Sequence, residues 1–162
     1  MRIEQARSDD VQAVASVLQE AAQWLANTGR PLWMPSDVSV ERVLRDTAAG
    51  NFYAARDGDD IIGVMRFELE DPFYWPEVEP GTSAFVHKLA VRRSWAKQGV
   101  STALLAFARE RARSLGRRHL RLDCVADRLA LRTLYERFGF ALHSCVQKGA
   151  GSVARYELAV TD

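Results

Sequence analysis

The sequence predicts a mixed α/β fold in one domain, on three observations. Its 162 residues are enough for one sizeable core and leave little for a second. Apolar residues recur at helical spacing in four stretches, with short strand-like runs between them. Glycine, proline, asparagine and aspartate punctuate the boundaries, and no repeat, low-complexity tract or linker interrupts the chain.

Taken in order, Arg2 to Ala6 reads as a short strand. Ser8 is placed to cap a helix whose Val11, Val14, Leu18, Ala22 and Leu25 keep helical spacing, and Asn27, Thr28 and Gly29 end it. Arg30 to Asp37, with two prolines, is an irregular loop. A second helix runs from about Ser39 to Ala49 and stops at Gly50. Phe52 to Arg56 and Ile61 to Leu69 form a hairpin around residues 57–60. Pro72, Pro76, Pro80 and Gly81 then mark a loop, before a strand from Ser83 to Val91. Val100, Ala103, Leu104, Phe107, Ala108, Ala112 and Leu115 define a long helix from near Gly99 to Gly116. Leu120 to Val125 is a strand. Asp127 is placed as N-cap of a helix that buries Leu131, Leu134, Tyr135 and Phe138 and closes at Gly139. Phe140 to Gln147 and Val153 to Val160 make a last hairpin. The order is β-α-α-β-β-β-α-β-α-β-β.

Composition excludes several function classes. A net charge of +1 gives no global field for nucleic acid or membrane. No apolar run approaches a membrane span, and Glu4, Asp9 and Asp10 come too early for a signal peptide. Two cysteines, Cys124 and Cys145, have neither metal nor disulfide spacing, so the expected setting is cytoplasmic with reduced thiols. His87, His119 and His143 are scattered, and no metal site is expected. The charge is nevertheless uneven. Arg92 to Arg121 holds nine basic residues and one acid, Glu110, whereas Phe67 to His87 holds five acids and no Lys or Arg.

The stretch WAKQGVST, Trp95 to Thr102, sits between a strand and an apolar helix. It fits neither a P-loop, which needs a second glycine and a Gly-Lys-Ser/Thr end, nor the three-glycine dinucleotide turn. It still places free main-chain N–H groups and a positive dipole end where an anion could sit, next to Arg92, Arg93 and Lys97. Alone, the stretch is equally read as a plain strand-to-helix turn.

Its neighbours make the stretch specific. With KLAV (Lys88 to Val91) before it and LRTLYERFGF (Leu131 to Phe140) after the next strand, the chain resembles the GNAT superfamily of acyl-CoA-dependent N-acetyltransferases. The likeness covers the whole element order and is specific over Phe85 to Phe140. The resemblance implies an α/β fold: a single mixed-sheet domain over 1–162 with two splayed central parallel strands, Phe85 to Val91 and Leu120 to Val125. It implies acetyl-CoA as cosubstrate. Leu89 and Val91 would pair with the pantetheine amides, and Lys97, Gln98, Gly99, Val100, Ser101 and Thr102 would receive the pyrophosphate. Ala96 stands where the family has Arg or Gln, Ser101 where it has Gly or Ala, and Arg128 where relatives often carry an asparagine that contacts the cofactor.

The same resemblance makes Tyr135 the general acid for the departing thiolate. The bland alternative is a core aromatic with a satisfied hydroxyl. His87 leads as general base, with Asp123, Glu68 and Asp71 behind it; equally it is a hydrogen-bonded structural histidine. Strand alternation puts His87 on the face of Leu89. The acceptor would meet the loops 30–37 and 71–81, with Trp33, Trp75, Asp71 and Asp123 as contacts, and acids beside aromatics suit a small amine. Exposed apolar residues there could also mark a homodimer contact. The expected activity is N-acetylation of a small primary amine, without nucleic-acid or membrane partners; the alternative is a non-catalytic acyl-CoA sensor or interaction domain.

Overall fold

A computed structural model of the chain describes residues 1–29 and 31–161, so Arg30, the first residue of the predicted loop, lies outside the described residues. The elements are β1 (Arg2–Gln5), α1 (Val11–Asn27), α2 (Val40–Ala48), β2 (Phe52–Asp57), β3 (Asp60–Glu68), β4 (Ser83–Val91), α3 (Val100–Ser114), β5 (His119–Val125), α4 (Leu129–Phe138), β6 (Ala141–Lys148) and β7 (Gly151–Ala159). Their order is the predicted one. The strands form one seven-stranded sheet in the order β1-β2-β3-β4-β5-β7-β6. It is mixed: β4 and β5 run parallel, while β1/β2, β2/β3, β5/β7 and β6/β7 are antiparallel.

The chain divides into two compact units, the first made of Met1–Phe67 and Lys88–Leu104, the second of Glu68–His87 and residues 105 onward. In the first, α1 buries Val14, Val17 and Leu18 against Val43 of α2 and Phe52, Ala54 and Val64 of the sheet. The expected Ser8 cap does not form. Residues 8–10 make a 3-10 turn, and Asp10 Oδ2 instead accepts the Arg7 N–H at 2.8 Å and pairs with Arg56 Nη2 at 2.7 Å. A carboxylate that satisfies both an amide and a guanidinium outcompetes a hydroxyl that could satisfy one. Ser39 does cap α2, accepting the Arg42 N–H at 3.2 Å. In β3, a Cβ at Gly63 would fall 2.7 Å from Val100 Cγ1 and 3.3 Å from the Ala90 carbonyl. The glycine is what lets α3 start so close to the strand.

The second unit carries β5, β7, β6, α4 and the first half of β4. β4 and β5 pair only over Ser83↔His119, Ala84↔Leu120 and Phe85↔Arg121, although β5 runs on to Val125 along β7. This early end of the ladder is the expected parting of the two parallel strands. Asp127 does not cap α4 through its side chain: the helix starts at Leu129, and the Asp127 carbonyl accepts the Leu129 N–H at 3.0 Å. Of the four residues expected in the core from α4, only Tyr135 is buried; Leu131, Leu134 and Phe138 are half-buried. One line of this short helix faces inward, and its flanks stay partly wet.

Candidate active site

The first unit contains the loop expected to receive an anion. Residues 93–95 form a 3-10 turn, Lys97 and Gly99 take left-handed φ values of 60° and 83°, and α3 begins at Val100. The Gly99 carbonyl accepts the Ala103 N–H at 3.0 Å, which makes Gly99 the N-cap. The amides of Val100, Ser101 and Thr102 therefore have no carbonyl partner within the helix. Space is open around Gly99, so its requirement for glycine is the φ, not crowding. Gln98 Nε2 donates to the Ser94 carbonyl at 3.1 Å and ties the turn to itself. Two of the three expected loop cations are committed elsewhere. Arg92 binds Ser16 Oγ at 3.1 Å and lies 3.8 Å from Glu20, and Arg93 stacks 3.8 Å over Trp24. Lys97 is exposed.

Also in this unit, Lys88 adopts φ 53° in the middle of β4. That left-handed residue breaks the simple alternation by which His87 and Leu89 were expected to share a face. Leu89 and Val91 follow it, half-buried. Lys88 Nζ lies 5.1 Å over the Trp33 ring, and Trp33 itself packs against the core. Burial, then the charges of Arg66 and Arg42, lower the Lys88 pKa from its ordinary value.

The second unit brings three sequence-distant side chains together. His87 Nε2 lies 3.0 Å from Asp71 Oδ2, with 13% and 7% of the two side chains exposed. One donor atom from each of Asp71, His87 and Asp123 falls within 4.8 Å of the others. The Tyr74 N–H donates to Asp71 Oδ1 at 3.1 Å and fixes the carboxylate from the far side. Burial works to raise the Asp71 pKa, but the hydrogen bond and charge of His87 and the amides of Tyr74 and Phe73 outweigh it, and the carboxyl sits below its ordinary value. The contact with the Asp71 carboxylate favours the tautomer that carries its hydrogen on Nε2.

Of the three, Asp71 also lines a pocket with Glu70, Trp75, Glu79, Ser83 and Phe85, among others. Trp75 is 2% exposed and lies between guanidinium groups, 4.8 Å from Arg121 and 4.4 Å from Arg155. Both arginines are held in turn: Arg121 by Ser83 Oγ at 3.0 Å and by Glu157, Arg155 by Glu77 at 2.6 Å and the Tyr74 carbonyl at 3.0 Å.

On α4, Tyr135 packs against Phe140 and Tyr156 at ring separations of 6.0 and 5.9 Å. Burial, then Cys124 and Asp123, push its pKa up, so the hydroxyl is protonated throughout the physiological range. Burial also raises the Cys124 thiol, to about 11, which leaves it no nucleophilic role near neutral pH.

Residues 18–140 match the Acetyltransferase (GNAT) family. The chain belongs to the GNAT family. It is 26% identical over 139 residues to the uncharacterized N-acetyltransferase YesJ of Bacillus subtilis (strain 168), spanning 82% of this chain and 77% of that protein. A GNAT-family acetyltransferase structure from Listeria monocytogenes superposes with a TM-score of 0.79 at 19% identity, over 98% of this chain and 94% of the other. The PaiA N-acetyltransferase of Thermoplasma acidophilum, in complex with coenzyme A, gives 0.78 at 15% identity over 97% and 98%. Membership makes this protein an acyltransferase, and an acetyl-CoA cosubstrate fits that membership.

Within this GNAT chain, the structure gathers Asp71, His87 and Asp123, with Trp75 beside Asp71 in the pocket wall. Lys97 to Thr102 form the loop and first turn of α3, and Arg128 immediately precedes α4. The first-unit residues Leu89, Val91 and Trp33 stand as described above. Sequence reasoning missed the partners of Trp75, namely Arg121 and Arg155; the only signal was alternation along β5 and β7. It also missed Gly63, whose place inside a strand pattern marks a close backbone approach. The acidic and basic stretches are partly spent on each other: Glu79 faces Arg118 at 3.8 Å.

Proposed function

We propose that this GNAT protein moves the acetyl group of acetyl-CoA directly to the primary amine of a small molecule, with 1–162 acting as one N-acetyltransferase domain. Acetyl-CoA supplies an activated acyl thioester and a polyanionic handle. The loop supports its binding: the amides of Val100, Ser101 and Thr102 point from a helix start, Gly99 adds no side chain and Lys97 adds charge. Leu89 and Val91 offer main-chain groups to the pantetheine, and Arg128 a guanidinium to its phosphates.

The observation that carries the reading is the Asp71–His87–Asp123 cluster. An aliphatic amine of pKa about 10.4 reaches pH 7 almost wholly protonated, and making it neutral costs about 4.6 kcal/mol. Two carboxylates attract the ammonium, and His87 Nδ1 accepts its proton. Asp71 keeps Nε2 protonated and turns the ring. The pocket beside Asp71, lined by Glu70 and Glu79 as well as Trp75 and Phe85, suits the remainder of a small cationic acceptor. Tyr135 hydrogen-bonds the thiolate as it forms.

A thiol-release screen over polyamines, amino acids, aminoglycosides and peptides tests the reading. Turnover on at least one small amine is expected. The rate should fall about 10²- to 10⁴-fold in His87→Gln, with acetyl-CoA affinity unchanged. Cofactor binding without turnover on any amine would replace the enzyme with an acyl-CoA sensor. Turnover on peptides alone would overturn the small-molecule acceptor.

A further inference from the structure

We propose that Asp71, His87 and Asp123 also bind a divalent first-row transition-metal ion of the zinc class, which competes with the acceptor amine. The competition rests on the function proposed above; the binding site does not.

The three residues come from the loop after β3, from β4 and from β5, and no local spacing in the sequence announces them. Among the described residues they are the one group of three such side chains whose donor atoms approach within 4.8 Å. The 3.0 Å between His87 Nε2 and Asp71 Oδ2 is the edge that two metal bonds of about 2.1 Å span at roughly 90°. Asp123 closes the set with a modest inward movement. Asp71 supplies an independent indication. Its side chain is 7% exposed, and its buried Oδ2 has no partner other than His87. Its second oxygen is clamped by the Tyr74 amide, the outer-shell bond that orients a ligating carboxylate.

Two nearby guanidinium groups have partners of their own. Arg121 is engaged by Glu157 and Ser83, and Arg155 by Glu77, Ser144 and the Tyr74 carbonyl. One imidazole nitrogen with two carboxylates is a mixed donor set. It selects zinc or manganese over magnesium, which prefers oxygen ligands and keeps its water. A bound ion takes up the carboxylates that would attract an ammonium and holds the His87 ring away from proton transfer.

Isothermal titration of chelator-treated protein with zinc chloride, in the absence of acetyl-CoA, tests the site. One equivalent should bind per chain. His87→Gln and Asp123→Asn should each weaken binding at least about ten-fold while far-UV dichroism shows the fold retained. Excess magnesium chloride should not displace the zinc. Cys145→Ser and His143→Gln serve as controls, because Cys145 is exposed and both could bind zinc adventitiously. Affinity that survives His87→Gln and Asp123→Asn, or disappears with Cys145→Ser, overturns the site. In metal-free buffer with a working acceptor, zinc should inhibit and excess acceptor should relieve it. Inhibition indifferent to acceptor concentration would overturn the competition. Absence of turnover in metal-free wild type sinks the proposed function and leaves the zinc titration standing.

Discussion

Tyr135 shows how one side chain's surroundings set what it can contribute. Buried against Phe140 and Tyr156, with its pKa pushed up, it always carries its proton but gives it up reluctantly. Even at ordinary values, a tyrosine near 10 and a thiol near 8.5 differ by about 1.5 units, or about 2 kcal/mol against full transfer. In the proposed reaction Tyr135 would therefore act by hydrogen-bonding the developing thiolate more than by delivering a free proton. Tyr135→Phe should lower kcat about 10²-fold, the low end for acid catalysis, with acetyl-CoA affinity and melting temperature nearly unchanged. Equal rates for the two proteins would remove Tyr135 from the chemistry. Trp75 teaches the complementary lesson. Expected as an acceptor contact, it is 2% exposed with two guanidinium groups against its ring, so it has little surface left to offer a ligand.

At the scale of elements, the start of α3 depends on a strand residue thirty-odd positions earlier in the chain. Val100 is 2% exposed, and a Cβ on Gly63 would stand 2.7 Å from its Cγ1. Gly63→Ala should lower stability by about 1–3 kcal/mol through overpacking. Because relief comes by displacing the first turn of α3, it should also weaken acetyl-CoA binding. Thermal melting and calorimetry on the same preparation check both effects; a destabilised protein with unaltered affinity would mean that the loop amides do not hold the cofactor. WAKQGVST was thus legible as a helix start, through its glycine and following apolar spacing. Its fit against β3 was not, since nothing local relates position 63 to position 100. Capping was also only half legible. Ser39 caps as expected, whereas Asp10 displaces Ser8 because Arg56, far along the chain, rewards the carboxylate.

At the scale of the whole molecule, paired charges make stability depend on pH in a defined direction. Asp10 lies below its ordinary pKa: burial opposes the shift, but the hydrogen bond and charge of Arg56 and the Arg7 amide prevail. Asp71 is lowered in the same sense by His87. The unfolded chain then binds more protons than the folded one as acidity rises, so the stabilisation is complete above the unfolded value near 4 and fades as pH falls through the folded values. The urea midpoint should therefore drop below about pH 4, and Asp71→Asn should flatten that limb; an unchanged acid limb in the variant would contradict the assignment. Lys88 contributes at the other end. Its pKa is lowered in the folded chain, so stability rises with pH between that lowered value and the ordinary 10.5. The sequence by itself determined the order of elements, because periodicity and glycine placement are local in the chain, and the contiguous motifs that carry the GNAT resemblance implied the parallel pair, the loop and the tyrosine of α4. Only the tertiary structure decided which nitrogen of His87 faces Asp71, that Asp123 joins them, and that Arg92 and Arg93 face α1. Those outcomes turn on contacts between residues tens of positions apart, and such contacts leave no periodic trace in the chain.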